Sequence, residues 1–95
     1  MIYITAKNTF KNEDVNKVIE LFSEMVKKTR EENGCVRYEL FQDTKNRGIL
    51  TLLEEWSDMI SFEKHLKTEH YLKIIPEIGK LSIKEKDVNI YEKIV

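Results

Sequence analysis

Few side chains in this protein can move a proton or hold a metal near neutral pH, and the obvious ones are His65, His70 and the lone Cys35. On a continuous helix, a separation of five residues sets two side chains ~140° apart. His65 and His70 would then not share a face as the i, i+4 pair of a zinc helix does. No third ligand lies at a useful spacing, so no metal is expected. Phe62 lies three residues before His65 and Leu66 one after, which places His65 at the border of an apolar stripe. A neutral imidazole there can act as base or hydrogen-bond donor near pH 7. Cys35 sits inside a strand pattern directly after a turn and beside Val36, and reads as a small hydrophobe rather than a nucleophile. There is no G-x-S-x-G, and glycines 34, 48 and 79 are too far apart to cradle a phosphate. Nucleotide cofactors therefore have no support.

Glu54 and Trp56 lie two apart on an expected strand and so share a face. Such a pair is either a structural contact near a sheet end or the polar and aromatic wall of a pocket for a flat ligand. Asn8 interrupts the apolar set Ile2, Ile4, Ala6 and Phe10; a buried amide needs partners, or else it holds a ligand. Together Asn8, Glu54, Trp56 and His65 describe an apolar cavity with few polar groups, between a sheet and a second helix.

Periodicity supplies the elements that must position them. Residues 2–10 alternate as a strand. Asn12 with Glu13 and Asp14 is a plausible helix start, and Val15, Val18, Ile19, Phe22, Met25 and Val26 form a helical stripe that Asn33-Gly34 stops. Strands are expected at about 35–42 and 48–56, joined by a hairpin loop of turn formers. Val36, Tyr38 and Leu40 should face one way there, Cys35 and Phe41 the other. Ser57 or Asp58 caps a second helix with Ile60, Phe62 and Leu66 inward, and Thr68-Glu69 restarts it. Pro76 disfavours a helical conformation at Ile75, and Gly79 weakens any continuation. A last strand at about 86–94 carries Val88, Ile90 and Ile94 on one face. The order β-α-β-β-α-β is the ferredoxin-like arrangement, an α+β fold with a four-stranded antiparallel sheet and helices on one face. Apolar residues on both sides of several strands imply that the second face is covered too, most simply by another copy of the chain.

Ninety-five residues leave room for one domain, 1–95. A net charge of −1 argues against nucleic-acid binding, which needs a basic excess. No apolar run approaches the ~20 residues that span a bilayer. The amino terminus turns polar by residue 11, unlike a secretory signal, and a single cysteine favours a reducing cytoplasm.

The runs Gly34-Cys35-x-x-Tyr38-Glu39-Leu40, Leu52-Leu53-Glu54-Glu55-Trp56-x-Asp58 and Phe62-x-x-His65-Leu66-x-x-x-His70 resemble the antibiotic biosynthesis monooxygenase domain over nearly the whole chain. The resemblance implies a homodimeric α+β barrel closed through the open sheet face. It also implies a cofactor-free oxygenase in which a deprotonated phenol or quinol itself reduces O2, with no flavin, metal or haem. Carried over by position, His65 is the inward helix histidine, Trp56 a pocket wall and Asn8 the group orienting an oxyanion or peroxide; Leu52, Glu54, Phe62, His70 and Tyr71 are the expected substrate contacts. A haem-degrading branch shares the first-strand asparagine, but His65 stands at its tryptophan position and Ile75 at its ligand position, which disfavours haem breakdown. The run from His65 to Tyr71, HLKTEHY, also looks like a branch that isomerises a phosphorylated keto sugar through a histidine proton shuttle. A non-catalytic module that binds a small ligand is the third reading, because a fold does not fix a function.

Overall fold

The computed structural model describes residues 1–95. Its elements run β1 (Ile2–Thr9), α1 (Val15–Thr29), β2 (Cys35–Gln42), β3 (Ile49–Trp56), α2 (Met59–His65), α3 (Glu69–Leu81) and β4 (Asp87–Tyr91). The four strands form one antiparallel sheet in the order β2-β3-β1-β4, with helices on one face. This is the expected α+β architecture. No helix is long and apolar enough to cross a membrane.

The reason α1 forms where it does is its stripe. Val15, Val18, Phe22, Met25 and Thr29 recur at alternating spacings of three and four, and all five are buried against the sheet. Lys27 and Lys28 sit at its carboxyl end, where cations meet the negative pole of the helix. Its start differs from expectation: Asn12–Asp14 form a single 3-10 turn, no side chain caps the helix, and the α-helix begins at Val15.

The β1–β3 register pairs Ile4 with Glu54, Ala6 with Leu52 and Asn8 with Leu50, so these side chains share the helix-covered face. In β2 a bulge between Cys35 and Arg37 changes the alternation. Cys35 pairs with Trp56 and Tyr38 with Glu54, which puts Cys35 on the same face as Tyr38, not opposite it. The extra residue, Val36, is left out in solvent at 55 % exposure.

Three further expectations are corrected. Ile60 is 65 % exposed, because the inward positions of α2 are Phe62 and His65, and a residue two before Phe62 points away from them. Pro76 stands inside α3 without ending it. The carbonyl it leaves without a donor belongs to Leu72, which is exposed and can be hydrated, while Ile74 and Ile78 anchor the opposite face in the core. The last strand is shorter than its alternation suggests: β4 stops at Tyr91, leaving Ile94 outside it and exposed. Val88 and Ile90 face the helix side but remain half exposed, since β4 pairs only with β1 and lies at the sheet edge.

Candidate functional site

Between the covered face of the sheet and helices α2 and α3 lies a cavity of about 300 Å³. β1 contributes Asn8, β2 Tyr38, and β3 Leu52 and Glu54; α2 and α3 contribute Phe62, His65 and Tyr71. Ile75 and Ile78 of α3 add an apolar wall, and Ser82, Lys84 and Lys86 stand at the rim before β4. Of the residues expected at a site, Asn8, Leu52, Glu54, Phe62, His65 and Tyr71 line this cavity. Trp56 and His70 do not. Trp56 is fully buried behind the wall, where its indole Nε1 donates to Glu54 Oε1 at 2.9 Å and its ring lies 4.8 Å from that of His65. A residue on the next sheet row cannot reach a cavity that Glu54 already closes.

His65 owes its position to two local devices. Asp58 caps α2 by accepting from the Ser61 N–H at 2.7 Å. Thr68 then works on both sides of the break: its Oγ1 donates to the His65 carbonyl at 2.8 Å and accepts from the Tyr71 N–H at 3.3 Å. It closes one helix and opens the next, as the restart at Thr68-Glu69 predicted. Because of that break the 140° rule for a continuous helix does not apply. The chain folds back so that both imidazoles meet Glu32, an acid in the α1–β2 loop.

His65 Nδ1 lies 2.8 Å from Glu32 Oε2, and His70 Nε2 lies 2.7 Å from the same oxygen. A carboxylate only accepts, so His65 Nδ1 carries the proton and Nε2 of the neutral ring holds the lone pair. Nε2 has no hydrogen-bond partner within the protein. The ring is 1 % exposed and is enclosed by Trp56, Tyr71 at 5.1 Å and Tyr38 at 5.5 Å, both of the latter edge-on. Gly34 makes the loop possible. It adopts φ +88, and a Cβ there would collide with the Ser61 side chain, so the chain passes under α2 only as glycine.

Burial sets the electrostatics. Glu54 is pushed up to about 7 by loss of water, which outweighs the Trp56 N–H that favours its charged form. His65 is held below the usual histidine range for the same reason, against the opposing pull of Glu32. Tyr38 and Tyr71 are raised, also chiefly by burial, so both keep their phenolic protons. Cys35 is raised to about 11 by burial with help from Glu32 and Glu54, and a protonated thiol is a poor nucleophile. The Asn8 amide makes no hydrogen bond inside the protein and faces the cavity. A neutral imidazole base, a carboxyl group that titrates near neutrality and a free amide thus share one oily space.

Glu32 was not visible to sequence reasoning. It is one acid in a charged stretch, and only the three-dimensional path of the α1–β2 loop brings it under α2. Tyr38 was visible as an alternating strand residue but not as part of a site. Glu32 also corrects the expectation that no third ligand joins the two histidines: one ligand atom from each of Glu32, His65 and His70 lies inside a span of 4.8 Å.

The chain as a whole is similar to known proteins. The chain is 37% identical to a conserved protein from Methanosarcina mazei Go1, with a TM-score of 0.94 over 97% of this chain and 91% of that one. It is 32% identical to a solved antibiotic biosynthesis monooxygenase, with a TM-score of 0.96 over the whole of both chains. Rv0793 of Mycobacterium tuberculosis aligns at 33% identity over 61 residues, which is 64% of this chain and 59% of that relative. The chain thus matches less than two thirds of that protein's length. Residues 1–77 match the family model described as antibiotic biosynthesis monooxygenase, and the chain belongs to that family.

Proposed function

We propose that this protein oxidises a small quinol or related phenol with O2 in the cavity between sheet and helices, and that His65 is the base. The observation that supports this reading is the imidazole whose Nδ1 is pinned by Glu32 while Nε2 is free beside the cavity. Nε2 takes the phenolic proton, and the electron-rich phenolate then reduces O2. For a 1,4-hydroquinone the balance is hydroquinone plus O2 giving hydroxyquinone plus water, with one oxygen atom kept on the ring. No flavin or haem is needed, because the substrate is its own electron source. Asn8 donates its amide N–H to the oxyanion or peroxide, Glu54 in its protonated form donates to a second oxygen, and Leu52, Phe62 and Tyr71 hold the ring. Trp56 acts from behind by holding Glu54 and stacking on His65. A cavity of about 300 Å³ suits one or two fused rings.

The test is oxygen uptake by protein freed of metal and flavin, across a panel of hydroquinones and anthrone-like phenols. Wild type should exceed the buffer rate on at least one, and His65→Ala should lose ~10²–10⁴-fold, the usual contribution of a positioned base. Equal rates for the two proteins would refute the assignment. Lys84 and Lys86 at the rim, neither ion-paired, favour a second reading in which an anionic keto-sugar phosphate is isomerised. That reaction turns over without oxygen.

The outer face of the sheet carries Tyr3, Ile49 and Leu53, half-buried, with Phe41 and Tyr91 exposed. In our reading a second copy covers this face to form a homodimer, and light scattering should return twice the 11.3 kDa chain mass.

A further inference from the structure

His70 has no task in the proposed reaction. It does not line the cavity, and one carboxylate bond from Glu32 is enough to fix the ring of His65. Yet His70 is turned onto the same oxygen, Glu32 Oε2, at 2.7 Å, opposite His65 Nδ1 at 2.8 Å. Two imidazole nitrogens and one carboxylate oxygen within 4.8 Å form an N2O donor set. Imidazole suits zinc, nickel and copper, and zinc takes histidine nitrogen and carboxylate oxygen at ~2.0–2.2 Å. At tetrahedral angles such bonds set the ligand atoms roughly 3.3 Å apart. The two nitrogens, up to 4.8 Å apart, would have to close by about 1.5 Å, and the carboxylate between them would have to withdraw by about half an ångström from each ring. Glu32 and His70 are 14% and 15% exposed, enough to allow that adjustment, while His65 is fixed at 1%. The wall of Trp56, Tyr38 and Tyr71 around His65 keeps bulk water from competing on that side.

We propose that Glu32, His65 and His70 bind one divalent cation of the zinc class, with a fourth position open to water. Metal at His65 Nδ1 replaces the proton held there. The one remaining ring proton moves to Nε2, so the nitrogen facing the cavity changes from acceptor to donor. No proton is released from the ring, but its lone pair is no longer available inside the cavity. Bound metal therefore silences the base; this consequence rests on the reading of His65 given above, whereas the binding site itself does not.

The experiment is calorimetric titration of zinc chloride into chelator-stripped protein, with cobalt absorption as a second probe. Wild type should bind one ion per chain. His70→Ala and Glu32→Gln should each weaken binding by more than the ~10–100-fold typical for loss of a supporting group. Cys35→Ser should bind like wild type, excluding the thiol as the ligand. Long-range ¹H–¹⁵N spectra should place the His65 proton on Nδ1 without zinc and on Nε2 with it. His70→Ala removes a ring at the edge of the fold, so it remains informative should Glu32→Gln unfold. No saturable binding in wild type, or binding that His70→Ala and Glu32→Gln leave unchanged, overturns the proposal. Zinc binding by these ligands in a protein that consumes no oxygen upholds the site and refutes only the reaction.

Discussion

Replacing Glu54 by Gln should stabilise the protein, and the gain should depend on pH in a defined way. Glu54 is 6 % exposed and titrates near 7 in the folded state instead of at the ordinary carboxyl value of 4.5. A folded-state pKa above the unfolded one means that the native protein holds the proton more tightly. Stability is then unaffected by this group below pH 4.5, declines as pH rises from there to about 7, and stays reduced above it. With each pH unit of separation worth ~1.4 kcal/mol, the ionised Glu54 lowers stability by about 3 kcal/mol at pH 8. Gln cannot ionise, and its amide oxygen can still accept the Trp56 indole N–H. The Glu54→Gln variant should therefore match wild type at pH 4.5 and exceed it by up to about 3 kcal/mol at pH 8, or roughly 12–24 °C in Tm for a chain of this size. Urea unfolding followed by far-UV circular dichroism at several pH values gives the difference directly, and subtraction cancels other groups. His65, held low by burial, runs the opposite way: it weakens the native state as pH falls through the usual histidine range. Its effect is common to both proteins and drops out. A difference that is flat with pH, or a less stable variant at pH 8, would refute the assignment of a desolvated carboxyl group at the cavity.

Two more outcomes follow from the packing. Trp56→Phe leaves Glu54 without its indole donor and should cost about 2–3 kcal/mol, while moving the Glu54 titration to still higher pH. Carbon-13 NMR of the carboxyl group reads the second effect separately from the first. Gly34→Ala forces an L side chain into φ +88 and into Ser61, so thermal unfolding should show a loss of about 2–3 kcal/mol. The same variant should loosen the Glu32–His65 contact, because the loop passes under α2 at that residue.

Much of this fold was legible because its faces are cleanly periodic. The stripe from Val15 to Met25, the alternation of Ile4, Ala6 and Asn8, and the Thr68 cap each obey a local rule, and the local rule and the tertiary packing agree. Where reading failed, a tertiary term won. The bulge at Cys35–Arg37 changes a period of two without a glycine to announce it. Pro76 is tolerated because the carbonyl it strands faces water, and only the packed structure shows which side that is. Of the site, Asn8, Glu54 and His65 were within reach, since a polar residue on or beside an apolar face marks a buried polar group, whereas Tyr71 came only through the family resemblance. Glu32 was not. Its contact with His65 spans 33 positions and depends on a helix break, a left-handed glycine and a loop path acting together.

The central claim is that the cavity side of His65 takes a proton from a bound phenol. The most direct test is the pH profile of oxygen uptake at saturating hydroquinone, compared between wild type and His65→Ala. Wild type should lose rate on the acid side, as Nε2 gains a proton below the usual histidine range, and His65→Ala should be slow and lack that acid limb. A wild-type profile without the acid limb, or the same rate and profile in both proteins, would contradict the account.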